Sequence, residues 1–152
     1  MSKQYISESA PHLGIPPDAA NWLVMVWEAF QTLDDCVDAG ESAALPTRKD
    51  LNALIWNSLV AMPSNPFFLK HQVVLNTAMG TQILKWQASD YAERHGQADA
   101  RSFVWRAGYY DLVLLVVQLC NPPAAAHRLA PVVMAMYGES FEDYQEEFPC
   151  QK

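Results

Sequence analysis

Clustered positive charge is missing from this chain of 152 residues. Its 10 lysines and arginines are scattered among 17 acids, for a formal net charge of −7. Affinity for nucleic-acid backbones comes from grouped cations, so no direct binding of DNA or RNA is expected. Cysteine is scarce as well: Cys36, Cys120 and Cys150 form no C-x-x-C pair, and an odd count argues against a disulfide framework. No apolar stretch reaches the ~20 residues of a membrane span. The first residues hold no apolar signal core. These absences lead to the expectation of a reduced, cytoplasmic protein that engages no membrane. Charged residues make up 18% and hydrophobic ones 51%, enough to build a core and to leave apolar surface for self-association. A homodimer is compatible with that balance.

Period-two alternation is also absent, and the apolar spacing is helical throughout. Pro16-Pro17-Asp18 opens a helix that runs to about Asp38, with Gly40 as its stop. Thr47 and Asp50 form a capping box for a second helix. Asn65-Pro66 is an N-cap and first helical position for a third, ending at His95-Gly96 with a bend expected near Gly80. A fourth covers Asp99 to Cys120, and a fifth covers Ala124 to Tyr137, bent or interrupted at Pro131. The expected fold is all-α: a single compact bundle of about five helices, one domain over 1–152. Residues 1–15 read as an irregular arm, and 140–152 as a short acidic turn opened by Ser140 and Asp143.

The densest chemistry is Asp34-Asp35-Cys36-Val37-Asp38, with three carboxylates in five residues at a helix C-terminus. Acids there oppose the macrodipole by roughly 0.3–1 kcal/mol each. A bound Mg²⁺ would reverse the mutual repulsion of Asp34 and Asp38, one helical turn apart. The D-D-x-x-D string resembles the aspartate-rich motif of isoprenoid diphosphate synthases, and that resemblance implies magnesium-held diphosphate. It extends over these five residues only. A second acidic motif and an adjacent lysine or arginine are absent, so the family is not carried over. Asp90-x-x-Glu93 is similar to one half of the acidic clamp in all-α nucleotide pyrophosphohydrolases, whose other half has no counterpart here. The metal reading therefore takes Asp34, Asp35, Asp38, Asp90 and Glu93 as Mg²⁺ ligands. The competing reading is a solvated polar face.

Asp111 stands in an apolar run, Tyr109 to Leu115, where a carboxylate must be paired or hydrogen-bonded. His71, Asn76, Arg106 and Gln118 are its candidate partners in a buried polar network that would fix helix register. On the third helix His71, Gln82, Ser89 and Glu93 fall on one line, facing either a cleft or water. The four histidines lack E-x-x-H or H-x-x-x-H spacing, and no G-x-S-x-G elbow or phosphate-cradling glycine loop is present. Near the C-terminus Glu142, Asp143 and Glu146 alternate with Phe141, Tyr144 and Phe148, a pattern suited to docking on a basic, partly apolar surface.

Without a complete catalytic constellation, the chain reads as a small acidic interaction protein: a regulator, adaptor or inhibitor. Asp34, Asp35, Asp38, Glu142, Asp143, Tyr144 and Glu146 are the expected partner-binding residues. The partner would be a basic protein surface, such as that of a nucleic-acid-binding protein. The alternative is a Mg²⁺-dependent hydrolase or transferase acting on a diphosphate.

Overall fold

The computed structural model describes residues 3–37 and 45–149. Among them every regular element is helical: α1 (Lys3–Ser9), α2 (Pro17–Val37), α3 (Arg48–Trp56), a π-helical turn (Asn57–Ala61), α4 (Pro66–Arg94), α5 (Ala100–Arg106), α6 (Gly108–Cys120), α7 (Pro123–Met134) and α8 (Phe141–Glu147). The expected count of about five falls short for three local reasons. The N-terminal arm contains α1, the fourth helix is broken at Ala107, and the acidic C-terminal segment forms a helix of its own.

The predicted caps explain most boundaries. Thr47 and Asp50 complete the reciprocal capping box on α3. Two hydrogen bonds from Thr47, one from its hydroxyl and one from its backbone N–H, hold the Asp50 carboxyl below the usual carboxylate range. Asn65 Oδ1 accepts the Phe68 N–H at 3.1 Å, and its Nδ2 donates to the Asp18 carbonyl at 2.9 Å. One side chain thus caps α4 and ties it to α2. Gly96 closes α4 at φ 63°, a conformation costly to any residue with a Cβ, and the Gln97 N–H returns to the Ala92 carbonyl at 2.8 Å.

One expected bend lies elsewhere, and one expected interruption does not occur. The break in α4 is at His71 (φ −121°, ψ 17°) and not at Gly80. Glycine lowers helix propensity without imposing a break. At the break the His71 ring lies 4.8 Å from that of Phe67. Pro131 lies within α7, which continues to Met134.

Contacts group the chain into two units, residues 2–72 and 73–152. In the first, α1 packs on α2, and the core is Ile6, Leu13, Ile15, Trp22, Leu23, Val26, Phe67 and Phe68. Gly14 (φ 65°) makes the turn between these helices. The Trp22 and Phe68 rings stack with centroids 6.1 Å apart. α3 and the π turn lie against α2, where Asn57 Nδ2 donates to Glu28 Oε2 at 3.2 Å.

In the second unit α6 is the central helix, with Tyr110, Leu112, Val113, Val116 and Val117 buried. It packs on α7, and α5 meets both α6 and α8. The 50° bend between α5 and α6 lies beside a close approach. A Cβ on Gly108 would stand 2.4 Å from the end of the Gln82 side-chain amide, so any larger residue here must displace that amide. No single helix among the described residues is long and apolar enough to cross a membrane.

Candidate functional site

Two polar centres and a set of exposed acids contain nearly all of the candidate residues. The first centre surrounds Tyr144, which has no solvent exposure. Ser140 caps α8 by accepting the Asp143 N–H at 3.1 Å, and this orientation turns Tyr144 inward. Its hydroxyl donates to Glu93 Oε1 at 2.9 Å, with Ser102 Oγ 2.8 Å away. Ser89 Oγ lies 2.8 Å from the same Glu93 oxygen and 2.9 Å from the Ser102 carbonyl oxygen. Arg106 approaches Glu93 Oε2 at 3.4 Å and carries its guanidinium 5.2 Å above the Phe148 ring. Glu139 stands 4.0 Å from Arg106 and accepts the Tyr137 hydroxyl. Burial, with the nearby Glu93 carboxylate, pushes the Tyr144 hydroxyl up to about 12. Burial likewise raises Tyr137 well above the usual phenol range.

These groups form a closed structural network in which acids, hydroxyls and guanidinium satisfy one another. A phenol held neutral to such high pH is a hydrogen-bond donor and no general base at neutral pH.

The second centre joins α4 to α6. Lys85 Nζ meets Asp111 Oδ2 at 2.5 Å, with the Asp111 side chain 42% exposed. With the Gln82 amide nitrogen turned toward α6, it donates to the Gly108 carbonyl at 3.1 Å and to Asp111 Oδ2 at 3.3 Å. The buried network expected around Asp111 is not the one formed. Arg106 serves Glu93, Asn76 and Gln118 are exposed, and His71 packs on Phe67. Lys85, the actual partner, stands 26 residues from Asp111 in the chain, so the pairing depends on how α4 and α6 pack. The line of Gln82, Ser89 and Glu93 along α4 was the signal that could have found both centres, for all three side chains turn inward.

The exposed candidate acids lie on α2 in the first unit and on α8 in the second. Asp35 is exposed and Asp34 half-buried on the last turns of α2, while Asp38 lies outside the described residues. Glu142, Asp143 and Glu146 all project into solvent from α8. Tyr144 must be withdrawn from the partner-contacting set, since it is the anchor of α8. Asp90 pairs with Arg94 at 2.8 Å and Glu93 belongs to the Tyr144 centre, so each is engaged by protein groups. Among the described residues no three His, Cys, Asp or Glu side chains are grouped as a metal ion would need. Asp99 is held below the usual carboxylate range by the Arg101 guanidinium and by backbone N–H groups at the N-terminus of α5.

No protein-family model matches this chain, and neither a curated protein nor a solved structure does.

Proposed function

We propose that this chain is a small acidic, non-catalytic interaction protein, a regulator, adaptor or inhibitor that docks onto a basic surface of a protein partner. One observation carries the reading. The apolar stripe of α2 is buried at Trp22, Leu23 and Val26 but emerges at Leu33 (45% exposed) and Val37 (37%), flanking Asp34 and Asp35.

α3 and the π turn, in the same unit, extend this character: none of their residues is buried, and Trp56 (63%) and Leu59 (73%) are among the exposed. Contiguous exposed apolar side chains rimmed by charge are characteristic of association surfaces. The matching partner has an apolar centre ringed by lysine and arginine, where the acids supply orientation and encounter rate and the apolar groups supply affinity. The exposed acids of α8, Glu142, Asp143 and Glu146, present a second acidic face to the same kind of surface.

The test is affinity capture with the native chain, with Asp34→Lys/Asp35→Lys and with Glu142→Lys/Asp143→Lys/Glu146→Lys, each checked for unchanged helical content. A basic protein retained by the native chain and lost from a charge-reversed one supports the reading. Equal retention by all three chains contradicts it.

A further inference from the structure

From Val73 onward α4 spreads apolar side chains around its whole circumference, a pattern that belongs to a helix covered on every side. Only one side is covered. The line of Leu75, Gln82 and Ser89 is buried. Directly opposite, Val73, Thr77, Gly80, Leu84 and Tyr91 follow at i, i+4, i+7, i+11 and i+18, and all five are exposed. Val73 is 78% exposed, Leu84 67% and Tyr91 57%. Val74, Ile83 and Ala88 widen this outer line.

The polar groups on the line are already satisfied. Thr77 Oγ1 donates to the Val73 carbonyl at 2.9 Å and Thr81 Oγ1 to the Thr77 carbonyl at 3.1 Å, so neither donor needs water or a polar partner. The Tyr91 ring is fixed by stacking on His95, with centroids 3.9 Å apart. At Gly80 nothing lies within 4 Å of a notional Cβ, so a second backbone can approach closely there. Charge is absent as well: no exposed residue from Val73 to Ala88 carries any. The charges at the margins are compensated within the chain, Lys85 by Asp111 at 2.5 Å and Asp90 by Arg94 at 2.8 Å.

We infer that the outer face of α4, Val73 to Tyr91, is a homodimer interface that packs against the same face of a second copy of this chain. Charge selects the occupant. A strongly basic or acidic partner finds no counter-charge on this line, unlike the acid-flanked end of α2. Two copies of net charge −7 repel wherever their carboxylates meet, and here neutral apolar surface meets its equal. An isologous two-fold contact needs such a self-complementary face. The area suffices: the line and its margins offer on the order of 500 Å² per copy, so a pair buries about 1,000 Å², the lower bound of a specific interface. The inference does not depend on the α2–α3 surface, which remains open to a basic partner.

Two measurements on the full-length chain test it. In the first, sedimentation velocity follows the native chain and three variants from about 1 μM to about 1 mM, the range in which a small interface saturates. The native chain and Ile55→Ser/Leu59→Ser should form a dimer with the same dissociation constant. Val73→Glu and Leu84→Glu, checked for native-like urea unfolding, should each raise that constant at least about tenfold, because both bury a carboxylate without a partner. A native chain that stays monomeric throughout overturns the inference and leaves the face to a different neutral partner. A dimer that neither glutamate weakens, or that only Ile55→Ser/Leu59→Ser weakens, also overturns it. The second measurement uses the native chain alone and so survives any folding defect of a variant. Hydroxyl-radical footprinting at the two ends of the concentration range should show Leu84 and Tyr91 protected on concentration, with Trp56 and Leu59 modified equally at both. Protection of Trp56 and Leu59 in place of Leu84 and Tyr91, or of none of the four, overturns the inference.

Discussion

α6 and the segment formed by α3 with its π turn differ sharply in what their apolar residues do. α6 has 13 residues and buries Tyr110, Leu112, Val113, Val116 and Val117. Residues 48–61 include Leu51, Leu54, Ile55, Trp56, Leu59 and Val60, and yet bury none of them. Hydrophobicity along the chain is similar in kind, but only the first set contributes its full transfer free energy to folding. The side chains of the second remain available for a contact outside the chain. α2 shows both behaviours in one helix, core-forming to Val26 and solvent-facing at Leu33 and Val37.

The comparison is sharpest for truncation of apolar side chains. Leu112→Ala, at a fully buried position, should cost about 2–5 kcal/mol in urea unfolding. Ile55→Ala and Leu59→Ala should stay within about 0.5 kcal/mol of the native chain, as exposed substitutions do. Comparable losses at Ile55 would show that α3 is part of a core after all.

Gly108→Ala probes the contact that sets the start of α6. The added methyl must displace the Gln82 amide, 2.4 Å away, so a loss of roughly 1–3 kcal/mol is expected. The double variant with Gln82→Ala should recover part of that loss in a double-mutant cycle. Full additivity of the two losses would contradict the assigned contact.

Tyr144→Phe removes the hydroxyl that donates to Glu93 and lies 2.8 Å from Ser102 Oγ, and should cost about 1–2 kcal/mol. The same hydroxyl makes stability pH-dependent. Its folded value, about 12, lies above the ordinary phenol value of 10.0. The neutral form is therefore favoured by folding. Its contribution is complete below pH 10 and is lost as pH rises toward 12, and Tyr144→Phe should flatten that decline. An unchanged alkaline slope would detach Tyr144 from the network.

Charge reversal at Asp34 and Asp35 should have the smallest effect on folding, within about 0.5 kcal/mol. Thermal unfolding of the purified chain checks this, and a large destabilisation would make the acids structural.

Caps were legible because their chemistry is local. Thr47 with Asp50, Asn65 with Pro66, Gly96 and Ser140 each satisfy backbone groups within a few residues of themselves. The two polar centres were not, because Tyr144 meets Glu93 across 51 residues and Lys85 meets Asp111 across 26. Those pairings depend on how helices pack, which periodicity alone leaves open. Even so, the inward line of Gln82, Ser89 and Glu93 was visible in the spacing of α4. Tyr144 was misassigned for a related reason: aromatic and acidic residues alternate on α8, and only packing decides which set faces water.

The account turns on the exposed end of α2 with α3 as a docking surface. The most direct measurement compares retention of a basic partner protein by the native chain, by Asp34→Lys/Asp35→Lys and by Ile55→Ser/Leu59→Ser, with urea unfolding of all three in parallel. The account predicts native-like unfolding in every chain and loss of retention in both variants. Undiminished retention by two folded variants would contradict it.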